Sequence, residues 1–197
     1  SFVNLDITNL DKLKEIIDNT VDYVYHEAAQ PGVMISITDP FKPNNINIVG
    51  TLNVLKASLD AGVKRVINAS SSSVYGTVKY LPFDEEHPTM PASPYGVSKL
   101  AAEHYCRVFY QVYGLPTVSL RYFTVYGPRM RPDLAIYKFT KKILNNESIN
   151  IFGDGNQTRD FTYIDDIVDA NIKLLDTNKV DGKIINLGNG NRISVNE

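Results

Sequence analysis

The sequence predicts an α/β fold in which helices cover a mostly parallel sheet. Short runs rich in β-branched and aromatic residues alternate with longer amphipathic segments along the 197 residues. The apolar content of 43% is enough to bury one sizeable core. Gly62 and Gly114 close two of the amphipathic segments, as left-handed stop residues do at helix ends. This alternation is typical of parallel strands joined by helical crossovers.

Local signals place the strands and the first helix. Thr8 and Asp11, three residues apart, predict the cap of a helix that begins at Asn9 and ends at about residue 19. The predicted strands are residues 2–5, 23–26, 63–69, 117–122, 149–152 and 183–187.

Four further helices have clear boundary signals. One ends near Ala61, ahead of its glycine stop, and one runs from a Ser93-Pro94 start to Gly114. A third spans about residues 134–145. The last begins at Asp165-Asp166, whose charges suit a helix amino terminus.

The chain changes character after Tyr126, where glycine and prolines mark a loop. We therefore expect one domain over residues 1–126 and a smaller region over 127–197, with segments that return to the sheet. A dinucleotide-binding sheet normally opens with a strand, a glycine-rich turn and a helix. No such turn is found here, so we expect the chain to lack that first βα unit and to bind a dinucleotide weakly.

Charge and rare residues argue against several functional classes. The 20 basic and 22 acidic residues give a net charge of -2, without a basic run that would hold nucleic acid. His26, His87 and His104 lack the short spacings of a metal site, so we expect no metal. Cys106 is the single cysteine, and neither a signal peptide nor an apolar run of about 20 residues is found. We expect a cytoplasmic protein.

Tyr95, Lys99 and Ser71 are the candidates for proton chemistry. Tyr95 and Lys99 are four residues apart on one predicted helix, so their side chains emerge on one face. A phenol titrates near 10 in water, and a neighbouring ammonium favours its ionised form, which is a usable base. Ser71 follows a predicted strand at the end where parallel sheets bind ligands, so its hydroxyl would hold a substrate oxygen.

The Tyr-x-x-x-Lys spacing alone is weak. Tyr75 with Lys79 and Tyr137 with Lys141 match it equally well. Tyr75 precedes a glycine in a predicted loop, and Tyr137 has no serine-bearing strand before it. Only Tyr95 follows such a strand, so we select it as the candidate base. The alternative is that Tyr95 and Lys99 are an exposed helix pair that contributes only a few tenths of a kcal/mol to stability.

Six segments, in order along the chain, carry a resemblance to a known family. They are HEAAQPGV (26–33), NIVGTLNVLKA (47–57), ASSSSVYG (69–76), SPYGVSKLAAE (93–103), LRYFTVYGPR (120–129) and FGDGNQTRDFTYIDDI (152–167). The chain resembles the extended short-chain dehydrogenase/reductase family, in particular its UDP-sugar 4-epimerases. The resemblance implies a Rossmann-like, doubly wound parallel sheet and NAD as cofactor. It assigns the catalytic hydroxyl to Ser71, the base to Tyr95 and its partner to Lys99.

The resemblance also implies binding residues and the two domain roles. Residues 1–126 would bind NAD and residues 127–197 mostly substrate. The implied cofactor-binding residues are Asp6, Ile7, Ala28, Ala29, Gln30, Asn47, Ser70, Tyr95, Lys99 and Tyr122. The implied substrate-binding residues are Ser71, Ser72, Thr124, Arg131, Asn150, Phe152 and Arg159. Alternatives stay open: Asp6 would cap the following turn, and Arg159 would form a surface ion pair with Asp160.

The reaction implied by the resemblance is inversion at C4 of a UDP-sugar through a 4-keto intermediate, by a homodimer. Thr124 and Arg131 favour UDP-glucuronate slightly, with UDP-glucose/UDP-galactose open. The family's dehydratases usually carry an Asp-Glu pair after the catalytic hydroxyl, where this chain has Ser72 and Ser73. A decarboxylase, a reductase or a non-catalytic nucleotide-binding protein are the other readings.

Overall fold

The computed structural model describes residues 1–177 and 179–197. They divide into two compact units. The first unit contains Ser1–Tyr122 and Leu174–Asn186, and the second contains Phe123–Lys173 and Leu187–Glu197. The assignment of residues 1–126 to NAD and of residues 127–197 mostly to substrate stays a prediction.

A parallel sheet forms the centre of the first unit. The strands of the described residues are β1 (Tyr23–His26), β2 (Arg65–Ser71), β3 (Thr117–Tyr122), β4 (Thr124–Tyr126), β5 (Thr158–Arg159), β6 (Phe161–Tyr163), β7 (Lys183–Leu187) and β8 (Ile193–Ser194). The main sheet has the order β1-β2-β3-β7. Strands β1, β2 and β3 are parallel neighbours, with Tyr23 opposite Arg65 and Ser71 opposite Tyr122.

The described residues form seven helices, of which the first five lie in the first unit and the last two in the second. They are α1 (Leu10–Ile16), α2 (Val33–Thr38), α3 (Phe41–Pro43), α4 (Gly50–Ala61), α5 (Pro94–Tyr113), α6 (Ala135–Leu144) and α7 (Ile164–Lys173). A π-helical stretch, Asn44–Val49, joins α3 to α4 without a break. The core cluster between β2, α4 and α5 includes Val66, Leu55 and Phe109. A parallel sheet with flanking helices is the fold class that the sequence predicts, and it is confirmed.

The helix boundary signals of α4 and α5 act as expected. Gly62 follows α4 with a φ of 73°, and Gly114 follows α5 with the same φ, so both are left-handed stops. Ser93 caps α5 by accepting a hydrogen bond from the amide of Gly96 at 3.1 Å. Helix α5 therefore begins one residue before Tyr95, which fixes where the side chains of Tyr95 and Lys99 leave the helix.

Two predicted strands and one predicted cap are wrong. Residues 2–5 form no strand, and Phe2 is 92% exposed, because an extended segment needs a pairing neighbour for its backbone groups. Residues 149–152 are also irregular. Asn9 rather than Thr8 caps α1, accepting from the amide of Lys12 at 3.1 Å. Helix α1 ends at Ile16, earlier than predicted, and β2 is shifted two residues toward the carboxyl terminus.

The second unit contains two small sheets and two helices. Strands β4 and β6 are parallel, and β5 pairs with β8 in the antiparallel sense. Helix α6 begins and ends within one residue of its predicted limits. Asp160 joins the loop that follows β7 to this unit, because its carboxylate accepts from the amides of Asn189 at 2.9 Å and Gly190 at 2.8 Å.

Two features are absent from the part of the chain that the structure describes. Over residues 1–177 and 179–197, no helix is long and apolar enough to cross a bilayer. The same residues contain no group of three or more histidine, cysteine or acidic side chains that would hold a metal ion.

Candidate functional site

The carboxyl ends of β2 and β3 lie side by side in the first unit. Ser71 is the last residue of β2, and the register places it opposite Tyr122 at the end of β3. The Ser71 hydroxyl accepts from the amide of Ser73 at 3.2 Å and donates to the hydroxyl of Ser73 at 3.1 Å. It therefore caps the short 3₁₀ turn Ser72–Val74, which fixes the direction in which the strand ends.

Helix α5 approaches this turn closely at Gly96. A Cβ atom on Gly96 would lie 2.6 Å from the backbone oxygen of Ser73 and 2.9 Å from Cβ of Pro91. Neither neighbour leaves room for a side chain at this position. The residue before Gly96 is Tyr95, so the closest approach of helix to turn occurs beside the predicted base.

Lys99 is buried and anchored on β2. Its Nζ donates to the backbone oxygen of Ala69 at 2.7 Å, two residues before Ser71. Burial lowers the pKa of Lys99 to about 8, against the opposing effect of the Glu27 carboxylate. The ammonium form is therefore the main form at pH 7. The structure thus brings Ser71 and the helix that carries Tyr95 and Lys99 to one edge of the sheet.

The other two Tyr-x-x-x-Lys pairs have different surroundings. The Tyr75 ring is fully buried, stacked on Phe83 with ring centroids 4.6 Å apart. Lys79 lies in a bend rather than one helical turn away. Tyr137 and Lys141 are both on the partly exposed helix α6 of the second unit.

Asn47 holds the loop that follows β1. Its Oδ1 accepts from the amide of Gln30 at 2.7 Å, and its Nδ2 donates to the oxygen of Gln30 at 3.2 Å. The same Nδ2 donates to Oγ of Ser98 on α5 at 2.9 Å. Asn47 is almost fully buried, so it links the loop containing Ala28 and Ala29 to the helix that carries Tyr95. These are the hydrogen bonds that its expected steadying role needs.

His26, at the end of β1, is a neutral buried group. Its Nε2 lies 2.8 Å from the hydroxyl of Thr51, which itself donates to the oxygen of Asn47. The imidazole is therefore the donor in this pair. Burial and, to a smaller extent, the charge of Lys99 lower the pKa of His26 to about 4. His26 consequently adds no second positive charge beside Lys99 at neutral pH.

Tyr122 and Glu27 face each other at the carboxyl edge of the sheet. The Tyr122 hydroxyl donates to Oε1 of Glu27 at 3.0 Å. Burial raises the pKa of Glu27, whereas this hydrogen bond and Lys99 lower it. Glu27 is a polar group of the site that the sequence interpretation missed. Its position directly after β1 was the available signal.

Asp6 and Ile7 lie in a turn before α1. The Asp6 carboxylate accepts from the amide of Thr8 at 2.9 Å and from its hydroxyl at 2.8 Å, which is the capping alternative. These bonds lower the pKa of Asp6, chiefly the one from the Thr8 amide. Asn53 of α4 holds the same turn by donating to the oxygens of Ile7 and Thr8. Contact of Asp6 and Ile7 with an adenine stays a prediction.

A buried polar cluster, which the sequence interpretation also missed, lies behind the site. Glu103 of α5 and Arg121 of β3 form a two-point ion pair, with both nitrogen–oxygen distances 2.9 Å. Ser70 donates to the same carboxylate, and Arg121 Nη1 donates to the Tyr75 hydroxyl at 2.9 Å. The side chain of Ser70 therefore bonds to protein, and its expected cofactor contact stays a prediction.

The expected substrate residues beyond Ser71 and Ser72 lie in the second unit. Thr124 begins β4, and its amide donates to the oxygen of Asp160 at 3.0 Å. Arg131 pairs with Asp133 at 3.1 Å on an exposed surface. Asn150 and Phe152 lie in an irregular, exposed segment.

Arg159 is exposed at the end of β5. Its Nη1 donates to the oxygen of Thr158 at 2.8 Å, while the Asp160 carboxylate accepts from Thr162 and two loop amides. Within the described residues, Arg159 and Asp160 therefore do not form the ion pair that was the alternative reading. Phosphate binding by Arg159 stays a prediction.

Comparison with known proteins identifies relatives along the whole chain. Residues 1–188 match the NAD dependent epimerase/dehydratase family. The chain is 44% identical over 199 residues to UDP-glucuronate 4-epimerase of Thermodesulfobacterium geofontis, covering 100% of this chain and 61% of the relative.

Two solved structures have the same fold. UDP-glucuronic acid 4-epimerase from Bacillus cereus, in complex with UDP-glucuronic acid and NAD, matches with a TM-score of 0.91 and 43% identity, covering 99% of this chain and 62% of that one. UDP-glucose 4-epimerase from Thermotoga maritima, with UDP-glucose, matches with a TM-score of 0.93 and 38% identity, covering 99% and 64%. The chain thus spans about three fifths of the length of these relatives, and the sheet is Rossmann-like.

Proposed function

This chain belongs to the NAD dependent epimerase/dehydratase family, and we propose that the protein inverts the configuration at C4 of a UDP-sugar. The observation that carries the proposal is the convergence at the edge of β2. There Ser71 ends the strand, Lys99 is anchored on the strand's own backbone, and α5 contacts the following turn beside Tyr95. A serine hydroxyl beside a helix that carries a phenol and an ammonium suits removal of a proton from an alcohol.

The roles divide among the three side chains. Tyr95 accepts the proton of the C4 hydroxyl and later returns it, and the positive charge of Lys99 favours the phenolate form. Ser71 hydrogen-bonds the C4 oxygen while it passes between alcohol and ketone. The C4 oxygen stays on the sugar throughout: its proton leaves and returns, and the hydride leaves and returns at the same carbon, so net redox is zero. Inversion requires the 4-keto sugar to turn over before the hydride returns.

The residues of the first unit fit NAD, whose nicotinamide supplies the acceptor and donor of the C4 hydride. Ala28 and Ala29 are small enough for close approach, and Asn47 fixes their loop through the Gln30 peptide. Lys99 has two further N–H donors besides the one on Ala69, which suit ribose hydroxyls. We include Asp6, Ile7, Ser70, Tyr95 and Tyr122 among the cofactor contacts.

The second unit is proposed to bind the sugar nucleotide. Arg159 is exposed and has a planar guanidinium, which suits a diphosphate. Phe152 is 87% exposed, which leaves its ring free to pack on a uracil near Asn150. Thr124 and Arg131, with Ser72 in the first unit, are proposed to contact the sugar.

UDP-glucuronate is the slightly favoured substrate. Arg131 is a cation that would pair with the C6 carboxylate, and the relatives from T. geofontis and B. cereus are UDP-glucuronate enzymes. The relative from T. maritima, a UDP-glucose 4-epimerase, keeps UDP-glucose/UDP-galactose as the second candidate. Ser72 and Ser73 lack acid-base groups for expelling water, which disfavours a dehydratase.

The test uses the full-length enzyme with NAD. UDP-glucuronate and UDP-glucose, each deuterated at C4, are incubated separately, and the C4 configuration and label are read by NMR. We expect inversion with the deuterium retained, because the hydride leaves and returns without meeting solvent. No inversion of either sugar, with nucleotide binding intact, would instead support a non-catalytic nucleotide-binding protein. Release of a decarboxylated 4-keto sugar together with NADH would support a decarboxylase, and NADH-dependent reduction of an added 4-keto sugar without inversion would support a reductase.

We also propose that the full-length protein is a homodimer. Tyr105, Val108 and Val112 follow a helical spacing on α5, and all three are at least partly exposed. An exposed apolar stripe of this kind suits packing against the same helix of a second copy. Light scattering of wild type and of Val108→Glu tests this, since a dimer should become a monomer. The cytoplasmic location stays a prediction.

A further inference from the structure

The proposed catalytic Ser71 lies between two attachment points of one buried polar cluster. On one side, the hydroxyl of Ser70 donates to Oε1 of Glu103. On the other, the hydroxyl of Tyr75 accepts from Nη1 of Arg121 at 2.9 Å. Because Glu103 and Arg121 are paired with each other, the two attachment points belong to a single rigid group.

The Glu103–Arg121 pair is built as a fixed unit. Nε and Nη2 of Arg121 donate to the two carboxylate oxygens of Glu103, each at 2.9 Å, which is the bidentate geometry of an arginine–carboxylate pair. The two side chains are 0% and 3% exposed. Burial alone would lower the pKa of Arg121, but the hydrogen bonds and charge of Glu103 raise it, so the guanidinium stays charged.

The Tyr75 side chain makes hydrogen bonds through its hydroxyl and contacts through its ring. Its hydroxyl donates to Oδ1 of Asn186 at 2.6 Å, and its ring lies under the guanidinium of Arg121 at 4.7 Å. The same ring also stacks on Phe83. Burial raises the pKa of Tyr75, so this phenol stays protonated and serves as a donor rather than as a base.

The cluster also belongs to the helix that carries the proposed base. Glu103 is on α5, four residues after Lys99 and eight after Tyr95. A helix is stiff over two turns, so a displacement of Glu103 relative to β3 would be transmitted to Tyr95. The Ser71 strand end and the Tyr95 helix are therefore both attached to the Glu103–Arg121 pair.

We propose that Glu103, Arg121 and Tyr75 are positioning residues that clamp segment 70–75 to α5 at both ends and so align the Ser71 hydroxyl with the Tyr95 phenol. None of the three touches substrate or cofactor in this role. The inference rests on the proposed function, because alignment has a catalytic meaning only if Ser71 and Tyr95 act on one carbinol.

The test compares Tyr75→Phe and Glu103→Gln in the full-length enzyme with NAD and the UDP-sugar that wild type inverts. Tyr75→Phe removes one hydroxyl and keeps the ring on Phe83. We expect its kcat to fall by about 10-fold and that of Glu103→Gln by about 100-fold, since small misplacements of reacting groups cost this much. KM and the Kd for NAD should change by less than about threefold, because the binding groups remain.

Asp181→Asn is the matched control. Asp181 pairs with the buried Arg65 at 2.7 Å, and this largely buried pair lies at the opposite end of β2 from Ser71. The substitution should lower the thermal midpoint but leave kcat per folded, nucleotide-binding site within about twofold, since it touches no attachment of segment 70–75.

The outcomes separate this inference from the proposed function. A wild-type enzyme that inverts no UDP-sugar overturns both. An active wild type in which Tyr75→Phe keeps kcat within about twofold overturns the positioning role alone. An equal loss of kcat in Asp181→Asn also overturns it, because the effect would then come from general destabilisation. If Glu103→Gln fails to fold, Tyr75→Phe still decides.

Discussion

Replacement of Gly96 by alanine tests the close approach of α5 to the turn after β2. Gly96 does not have a positive φ, so space rather than backbone angle decides the outcome. The new Cβ would lie 2.6 Å from the backbone oxygen of Ser73, whereas real Cβ atoms keep about 3.0 Å or more. Helix and turn must therefore separate by about 0.4 Å or more, because the oxygen belongs to the backbone and has no rotamer to change.

The magnitude follows from two opposing effects on stability and one on rate. Alanine is favoured over glycine in a helix by up to about 1 kcal/mol, and overpacking costs about 1–3 kcal/mol. The free energy of unfolding should therefore fall by between about 0 and 3 kcal/mol, which leaves Gly96→Ala folded. The rate should suffer more. A displacement of about 1 Å between reacting groups costs about 100-fold, so we expect kcat to fall by about 10- to 100-fold.

The assay is C4 inversion by the full-length enzyme at saturating NAD and UDP-sugar, with stability from urea unfolding. Gly50→Ala is the control, since its Cβ would also lie within 2.5 Å of a neighbour, but that neighbour is the terminal methyl of the flexible Ile7 side chain. At saturating NAD we expect Gly50→Ala to keep kcat within about threefold, because Ile7 can change rotamer and, as a proposed cofactor contact, would alter the Kd for NAD rather than kcat. A Gly96→Ala enzyme with wild-type kcat would refute the reasoning that this contact aligns Tyr95 with the Ser71 strand.

Three further predictions concern single groups. Raising the pH through about 8 should lower kcat as Lys99 loses its proton, and Lys99→Met should be slow at every pH, which a pH–rate profile checks. Asn47→Ala leaves the partly buried amide of Gln30 without its acceptor, so calorimetry should show weaker NAD binding and urea unfolding should show about 1–3 kcal/mol less stability. Asp160→Asn keeps only one of the two acceptor oxygens that bind the loop amides, so the thermal midpoint measured by calorimetry should fall. The NAD affinity measured by titration should not change.

Local signals were sufficient for the parts of the fold that local chemistry decides. Helix α5 begins at a serine-proline pair and ends at a glycine, and these signals depend only on neighbouring residues. The register of Tyr95 and Lys99 on that helix followed from the four-residue spacing. In contrast, residues 2–5 have strand-like composition, but a strand also needs a partner, and partners are set by distant sequence.

The same distinction explains the missed parts of the site. Glu103 and Arg121 are separated by a helix end and a loop, and nothing in the sequence indicates that two charged residues in apolar stretches face each other. The cap of α1 was misplaced by one residue because Thr8 and Asn9 are both good capping residues, and the choice depends on the turn that Asp6 forms with Thr8. Neither the buried ion pair nor the exact capping residue can be predicted from local sequence, because each depends on packing or turn geometry.

The most direct test of the proposed chemistry is the rate of C4 inversion by full-length Tyr95→Phe, measured together with its affinity for the UDP-sugar. The substitution removes one oxygen atom and keeps the ring. We expect kcat to fall by about 1,000-fold or more, since the only proposed proton acceptor is lost, while the Kd for the UDP-sugar stays within about threefold. Inversion at a rate near that of wild type would contradict the account, because another group would then have to take the proton.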